Sequence, residues 1–157
     1  MHLASRAAFL TRLGTLLTAG LVLVACARAP GAPPAPVVGT WLMQIPEAPF
    51  PVHLFTFHAD GTVLQSNPDA GDPGSSDSNA MGAWQATPQG IRGRLVEVLA
   101  DRGTRRFTGR GEISFVLTVT DDTFQGTASA VFYDPQGAQV RGPVQASLQG
   151  QRVSPRP

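Results

Sequence analysis

The feature that most constrains this fold is an alternation of apolar and polar side chains, repeated in short segments between residues 38 and 153. Such alternation is typical of β-strands that bury one face. The segments end at Asp-Gly, Pro-Gln-Gly and Asp-Asp sequences, which favour tight turns. No segment shows the three-to-four-residue spacing of an amphipathic helix. The sequence therefore predicts an all-β domain.

Eight segments are predicted to be strands: residues 38–45, 52–58, 62–66, 81–86, 91–100, 106–120, 123–133 and 138–153. Because short turns join most of them, each strand is expected to pair antiparallel with the next. Closing eight strands into an up-and-down barrel would remove both exposed sheet edges, and a β-sandwich is the alternative arrangement. Residues 67–80 form the longest connection. Their Asp, Ser, Gly and Pro content predicts a solvated loop at the barrel mouth.

The first 25 residues have the composition of a secretion signal. Two arginines precede an apolar run, residues 13–25, that is too short to span a bilayer comfortably. The run leads into Leu-Val-Ala-Cys26, which resembles the lipobox of bacterial lipoproteins. That resemblance implies cleavage before Cys26, a diacylglyceryl group on its sulfur and acylation of the new amino group. An ordinary cleavage site beside an incidental Cys is the alternative.

Lipidation of Cys26 implies an anchor in the lipid bilayer of the cell envelope, since two or three acyl chains hold a protein there stably. Ala27, where an Asp would retain the protein at the inner membrane, implies the outer membrane, with the domain facing the periplasm. Residues 26–37 are predicted to link the anchor to a barrel domain at residues 38–153, and residues 154–157 to form a tail. Twelve Arg less two in the signal leave ten cations against eleven acids, which argues against a nucleic-acid partner.

Gly39 and Trp41 open the first strand, and Arg152 lies near the end of the last. This pattern resembles the lipocalin and calycin barrels. The resemblance implies that Trp41 plugs the closed end, that Arg152 packs across its ring, and that the barrel holds a small apolar ligand without a cofactor. Many lipocalins also have a helix after the barrel and a disulfide. This sequence predicts no such helix, and its single Cys excludes an internal disulfide.

Small residues dominate the predicted inward positions of the last three strands, which leaves space for a ligand or for aromatic side chains. The predicted cavity lining consists of Phe55, Phe57, Trp84, Glu97, Phe115 and Phe132. Glu97 is in phase with Ile91, Leu95 and Leu99. It is therefore a candidate buried carboxyl with a raised pKa, or a rim carboxyl paired with an Arg.

His53 and His58 fall on opposite faces of the second strand and have no further ligands nearby, so no metal site is predicted. The sequence contains no P-loop, Gly-x-Ser-x-Gly elbow or dinucleotide fingerprint, so the chain is not expected to be an enzyme. Two functions compete. One is a monomeric envelope lipoprotein that binds a small apolar ligand, and the other is an interaction protein with a solid barrel and a functional acidic loop.

Overall fold

The computed structural model of this protein describes residues 35–67 and 73–155. Nine strands lie there: β1 (Gly39–Gln44), β2 (Val52–Phe57), β3 (Thr62–Ser66), β4 (Ser75–Asp77), β5 (Ala80–Thr87), β6 (Gly90–Asp101), β7 (Phe107–Thr120), β8 (Thr123–Tyr133) and β9 (Gln139–Arg152). All pairings are antiparallel, and β9 pairs back to β1, which closes the barrel. The predicted all-β, eight-stranded antiparallel barrel is confirmed, and the sandwich alternative is excluded. Neither described range contains a helix long and apolar enough to cross a membrane.

The tight turns form where the sequence predicts them, and the β2–β3 turn shows why. Gly61 has a φ of 92°, a conformation that residues with a Cβ rarely adopt. The Asp60 carboxylate accepts a hydrogen bond from the Thr62 N–H at 2.8 Å, and the His58 N–H donates to the Thr62 carbonyl at 2.9 Å. These bonds set the register of the hairpin, and the register determines which side chains of β3 face the barrel interior beside those of β2.

The predicted loop at residues 67–80 is wrong in part, because residues 75–77 form the short strand β4. β5 pairs with β6 only as far as Val96, whereas β6 continues to Asp101. The vacant edge of β6 beyond Val96 would leave backbone groups unpaired, and β4 pairs with it there. Asp77 thereby lies beside Leu99 of β6. β4 is thus a ninth strand outside the barrel ring, and it brings an acidic side chain to the barrel's rim.

The barrel is packed solid at one end, which we call the closed end. It contains the start of β1, the end of β2 and the end of β9. The buried rings there contact one another: Trp41 and Phe124 have centroids 5.0 Å apart, and Phe57 lies 6.1 Å from Trp84. Gly150 lets Phe124 fit, because a Cβ at this glycine would lie 2.3 Å from the phenyl ring.

Trp41 and Arg152 meet at the closed end. Trp41 is fully buried and donates its indole N–H to the Val37 carbonyl at 2.8 Å. The Arg152 guanidinium carbon lies 4.1 Å from the Trp41 ring centroid, and Nη1 donates to the Val38 carbonyl at 2.8 Å. A Cβ on Gly39 would lie 2.9 Å from the same Nη1, so glycine leaves room for the guanidinium. The first and last strands are therefore joined by a cation–π contact and hydrogen bonds.

Candidate functional site

The end of the barrel opposite Trp41, which we call the open end, contains a cavity of about 440 Å³. Its volume lies within the roughly 300–1,000 Å³ of small-molecule sites. The lining is mainly apolar. Its apolar side chains include Ile45, Phe50, Phe55, Leu99, Ile113, Phe115, Ala128, Ala130, Phe132, Val140, Val144, Ala146 and Leu148.

Alanines on β8 and β9 leave this space. Ala128 pairs with Ala146 across the two strands, and Ala130 pairs with Val144. All four side chains line the cavity. Inward glycines contribute less than their size suggests, because neighbouring atoms occupy their space. At Gly126, for example, a Cβ would lie 2.0 Å from a backbone carbonyl oxygen.

Four of the predicted lining residues, Phe55, Glu97, Phe115 and Phe132, do line the cavity. Phe57 and Trp84 do not, because they lie deeper, in the packed closed end. Phe57 follows Phe55 by one inward step along β2, and it pairs with Gly39 at the start of β1, whereas Phe55 pairs with Trp41. Trp84 is held there by an indole hydrogen bond to the His58 carbonyl at 3.0 Å. The alternation therefore predicted which of these side chains face the barrel interior, but it did not predict how far along the barrel axis each one lies.

Glu97 is buried inside the open end, with 7% of its surface exposed. It lies opposite Gly111 of β7, where a Cβ would lie 2.6 Å from Oε1 of the carboxylate. Glycine at this position therefore makes room for the carboxyl group.

Asn67 connects Glu97 to Asp77 of β4. Its side-chain amide donates to Oδ2 of Asp77 at 2.5 Å and to Oε2 of Glu97 at 3.2 Å. The Asn67 backbone N–H donates to the Asn79 side-chain oxygen at 2.9 Å, which holds the segment in place. We call Asn67, Asp77 and Glu97 the acidic cluster. All three residues line the cavity.

The pKa of Glu97 is raised to about 7. The larger cause is burial of the carboxyl group, and the smaller is the nearby negative charge of Asp77. The hydrogen bond from Asn67 favours the ionised form and offsets part of this effect. Glu97 therefore titrates near neutral pH. Its carboxyl group can either donate or accept a hydrogen bond from a molecule in the cavity.

His53 and Gln65 also line the cavity, and both are buried. His53 Nε2 lies 2.7 Å from the Phe50 carbonyl oxygen, so in the neutral ring this nitrogen donates. Nδ1 then accepts from the Gln65 side-chain amide at 3.3 Å. His58 is exposed, on the opposite face of the strand. In the part of the chain that the structure describes, no three His, Cys, Asp or Glu side chains converge as metal ligands.

The polar side chains of the cavity were not predicted, apart from Glu97. Gln65 and His53 are in phase with the buried Val63 and Phe55, so their inward direction was visible in the alternation. Asn67 and Asp77 carried no such signal, because the alternation stops before them. Their positions depend on β4 pairing with β6.

Cys26 lies outside the described residues, so the predicted lipidation site has no structural description. Comparison of the chain with protein-family models, curated proteins and solved structures finds no match. The site's chemistry is therefore argued from its own residues. An apolar cavity with a few polar groups among its lining residues suits the binding of a small amphiphilic molecule.

Proposed function

We propose that this chain is an envelope lipoprotein whose barrel binds one small, largely apolar molecule in the cavity at the open end. The observation that supports the proposal is the contrast between the two ends. The closed end is filled by Trp41, Phe57 and Phe124, whereas the open end keeps about 440 Å³ between mainly apolar side chains. Leaving apolar walls unpacked forfeits stabilising contacts, and a bound ligand would restore them.

The gain from filling the cavity is large enough for binding. Each CH₂ group moved out of water contributes about 0.8 kcal/mol, so an eight-carbon chain gains about 6 kcal/mol before the costs of association. Those costs amount to several kcal/mol. We therefore expect simple alkyl compounds to bind weakly, and the natural ligand to be larger or to have polar contacts as well.

The lipocalin-like identity and the membrane anchor belong to the same proposal. The closed barrel and the contact of Arg152 with Trp41 support lipocalin-like architecture. The lipobox resemblance supports an anchor at Cys26, with the barrel on the periplasmic face of the outer membrane. Mass spectrometry of the mature amino terminus tests the anchor. An unmodified Cys26, or cleavage at another site, would contradict it.

The competing function was an interaction protein with a solid barrel and a functional acidic loop. The cavity disfavours a solid barrel. Part of the predicted acidic loop also belongs to the cavity, because β4 pairs with β6 and Asn67 and Asp77 line the cavity. We therefore rank ligand binding first, and we regard binding, not catalysis, as the role of the site.

Titration with N-phenyl-1-naphthylamine, a neutral apolar dye that fluoresces out of water, tests the proposal. We expect saturation at one dye per chain. Ala130→Trp should fill the cavity and abolish the signal. Thr127→Trp, which adds the same ring to an exposed position of the same strand, should leave it unchanged. No saturable signal in the wild-type protein, or equal binding to Ala130→Trp, would defeat the proposal.

A further inference from the structure

We infer that the ligand of this cavity is an apolar amine, a molecule with a hydrocarbon body and one protonated nitrogen that the acidic cluster receives. The inference rests on the proposed function and adds the chemical class of the ligand. Its basis is the arrangement of the carboxylate oxygens of the acidic cluster, which lines the cavity.

Each carboxylate of the acidic cluster uses one oxygen for the Asn67 amide. The second oxygens, Oε1 of Glu97 and Oδ1 of Asp77, accept no hydrogen bond from any residue that the structure describes. Within the described ranges, every buried side-chain nitrogen or oxygen has a hydrogen-bond partner. Because Oε1 of Glu97 has none, this oxygen is not fully buried, and it retains access to the cavity that Glu97 lines. Two acceptors bridged by one amide suit an ammonium group, which has three N–H donors and no acceptor.

The charges that face the cavity are mostly negative. β4 contributes Asp77, β6 contributes Glu97 and the β1–β2 loop contributes Glu47. Among the lining residues that the structure describes, the one guanidinium belongs to Arg141 of β9. Arg141 is exposed, and its guanidinium carbon lies 5.2 Å from the Phe132 ring centroid. β2 contributes His53, whose ring bonds to Phe50 and Gln65, and β7 and β8 contribute no charged lining residue.

No ion pair within the described ranges neutralises the acidic cluster. The ion pairs there join Glu112 to Arg94 and Arg110 on the outer face, and Arg152 to Asp122 at the closed end. A buried carboxylate without a cation is costly, and a cation brought by the ligand would remove that cost. A ligand carboxylate would be repelled instead, so the cavity should discriminate against fatty acids.

The titration of Glu97 supports the same reading. Because its pKa lies near 7, an ammonium ion that binds beside it should drive out the proton that part of the population carries. Binding near neutral pH should therefore release protons. Affinity for the amine should fall as the pH drops below 7, because the proton then competes with the ammonium ion.

Isothermal titration of the full-length protein with octylammonium, 1-octanol and octanoate at about pH 8 tests the inference. The three probes share a hydrocarbon chain and differ in charge. We expect octylammonium to bind at least about tenfold more tightly than 1-octanol, and octanoate to bind most weakly. Glu97→Gln should remove at least about tenfold of the octylammonium affinity and leave that for 1-octanol within about twofold. Glu112→Gln, a matched change on the outer face, should alter neither.

Two outcomes separate this inference from the function on which it rests. If 1-octanol or octanoate binds as tightly as octylammonium, the cavity binds apolar molecules but the amine class is wrong. If none of the three probes nor the neutral dye binds, both proposals fail. Should Glu97→Gln not fold, the wild-type protein still decides the matter. Wild-type affinities that fail to rank octylammonium above 1-octanol, and 1-octanol above octanoate, would overturn the inference.

Discussion

Replacing Glu97 by Gln should make the protein more stable at neutral pH. The wild-type carboxyl has an ordinary pKa of 4.5 in the unfolded chain and a pKa of about 7 when folded. The folded state therefore holds the proton more tightly, and protonation stabilises the fold. That stabilisation is complete below pH 4.5, is lost as the pH rises toward 7, and is absent above it. The difference between the two pKa values corresponds to about 3 kcal/mol of unfolding free energy.

Urea unfolding of the wild type and Glu97→Gln at several pH values between about 4.5 and 8.5 measures this effect. Other carboxyl groups titrate in both proteins, so the difference between the two isolates Glu97. We expect the unfolding free energy of the wild type to fall relative to that of Glu97→Gln by about 3 kcal/mol across this range. A constant difference would show that Glu97 is not buried beside Asp77 and would remove the electrostatic argument for the acidic cluster.

Glu112→Gln provides the control of opposite sign. Hydrogen bonds from Arg110 and then Arg94 lower the pKa of Glu112, so its stabilising contribution is present above pH 4.5 and is lost in acid. Its difference from the wild type should therefore stay constant between about pH 5 and 8.5, the window in which Glu97→Gln changes.

Three further predictions concern the closed end. Trp41→Ala should lower the unfolding free energy by about 3–5 kcal/mol in urea titrations. Leu42→Ala, at the exposed position next to it, should cost under about 1 kcal/mol. Equal losses would show that Trp41 is not a core plug. Gly150→Ala should cost at least about 1–3 kcal/mol, because its methyl group would overlap the Phe124 ring, and wild-type stability would contradict that packing. Arg152→Lys should also destabilise the protein, since one ammonium cannot replace the planar guanidinium over the indole, and an unchanged thermal midpoint would contradict this role.

The strands were predictable because their signals are local. Residues 62–66 and 123–133 have the predicted bounds, since alternation and flanking turn residues lie within the segment itself. β4 was missed because Ser75-Ser76-Asp77 has no apolar alternation. It is a strand because β6 extends past β5 and offers it an unpaired edge, a condition set by residues far along the chain.

The candidate site was predictable only in part, for a related reason. Alternation indicates which side chains face inward, and it placed Phe55, Phe115 and Glu97 correctly in the cavity wall. It does not encode the stagger between strands, which decides whether an inward residue lies in the cavity or in the packed end. Phe57 and Trp84 were therefore assigned to the cavity although they belong to the closed end.

Native mass spectrometry of the protein, purified from cells under mild conditions, tests the central claim most directly. If the open end is a ligand site, the wild-type spectrum should contain a species that carries one small molecule per chain, released by gentle activation. The Ala130→Trp spectrum should contain only the bare protein. A wild-type spectrum that shows only bare protein, and that stays bare when excess octylammonium and 1-octanol are added, would contradict the claim that this barrel binds a ligand.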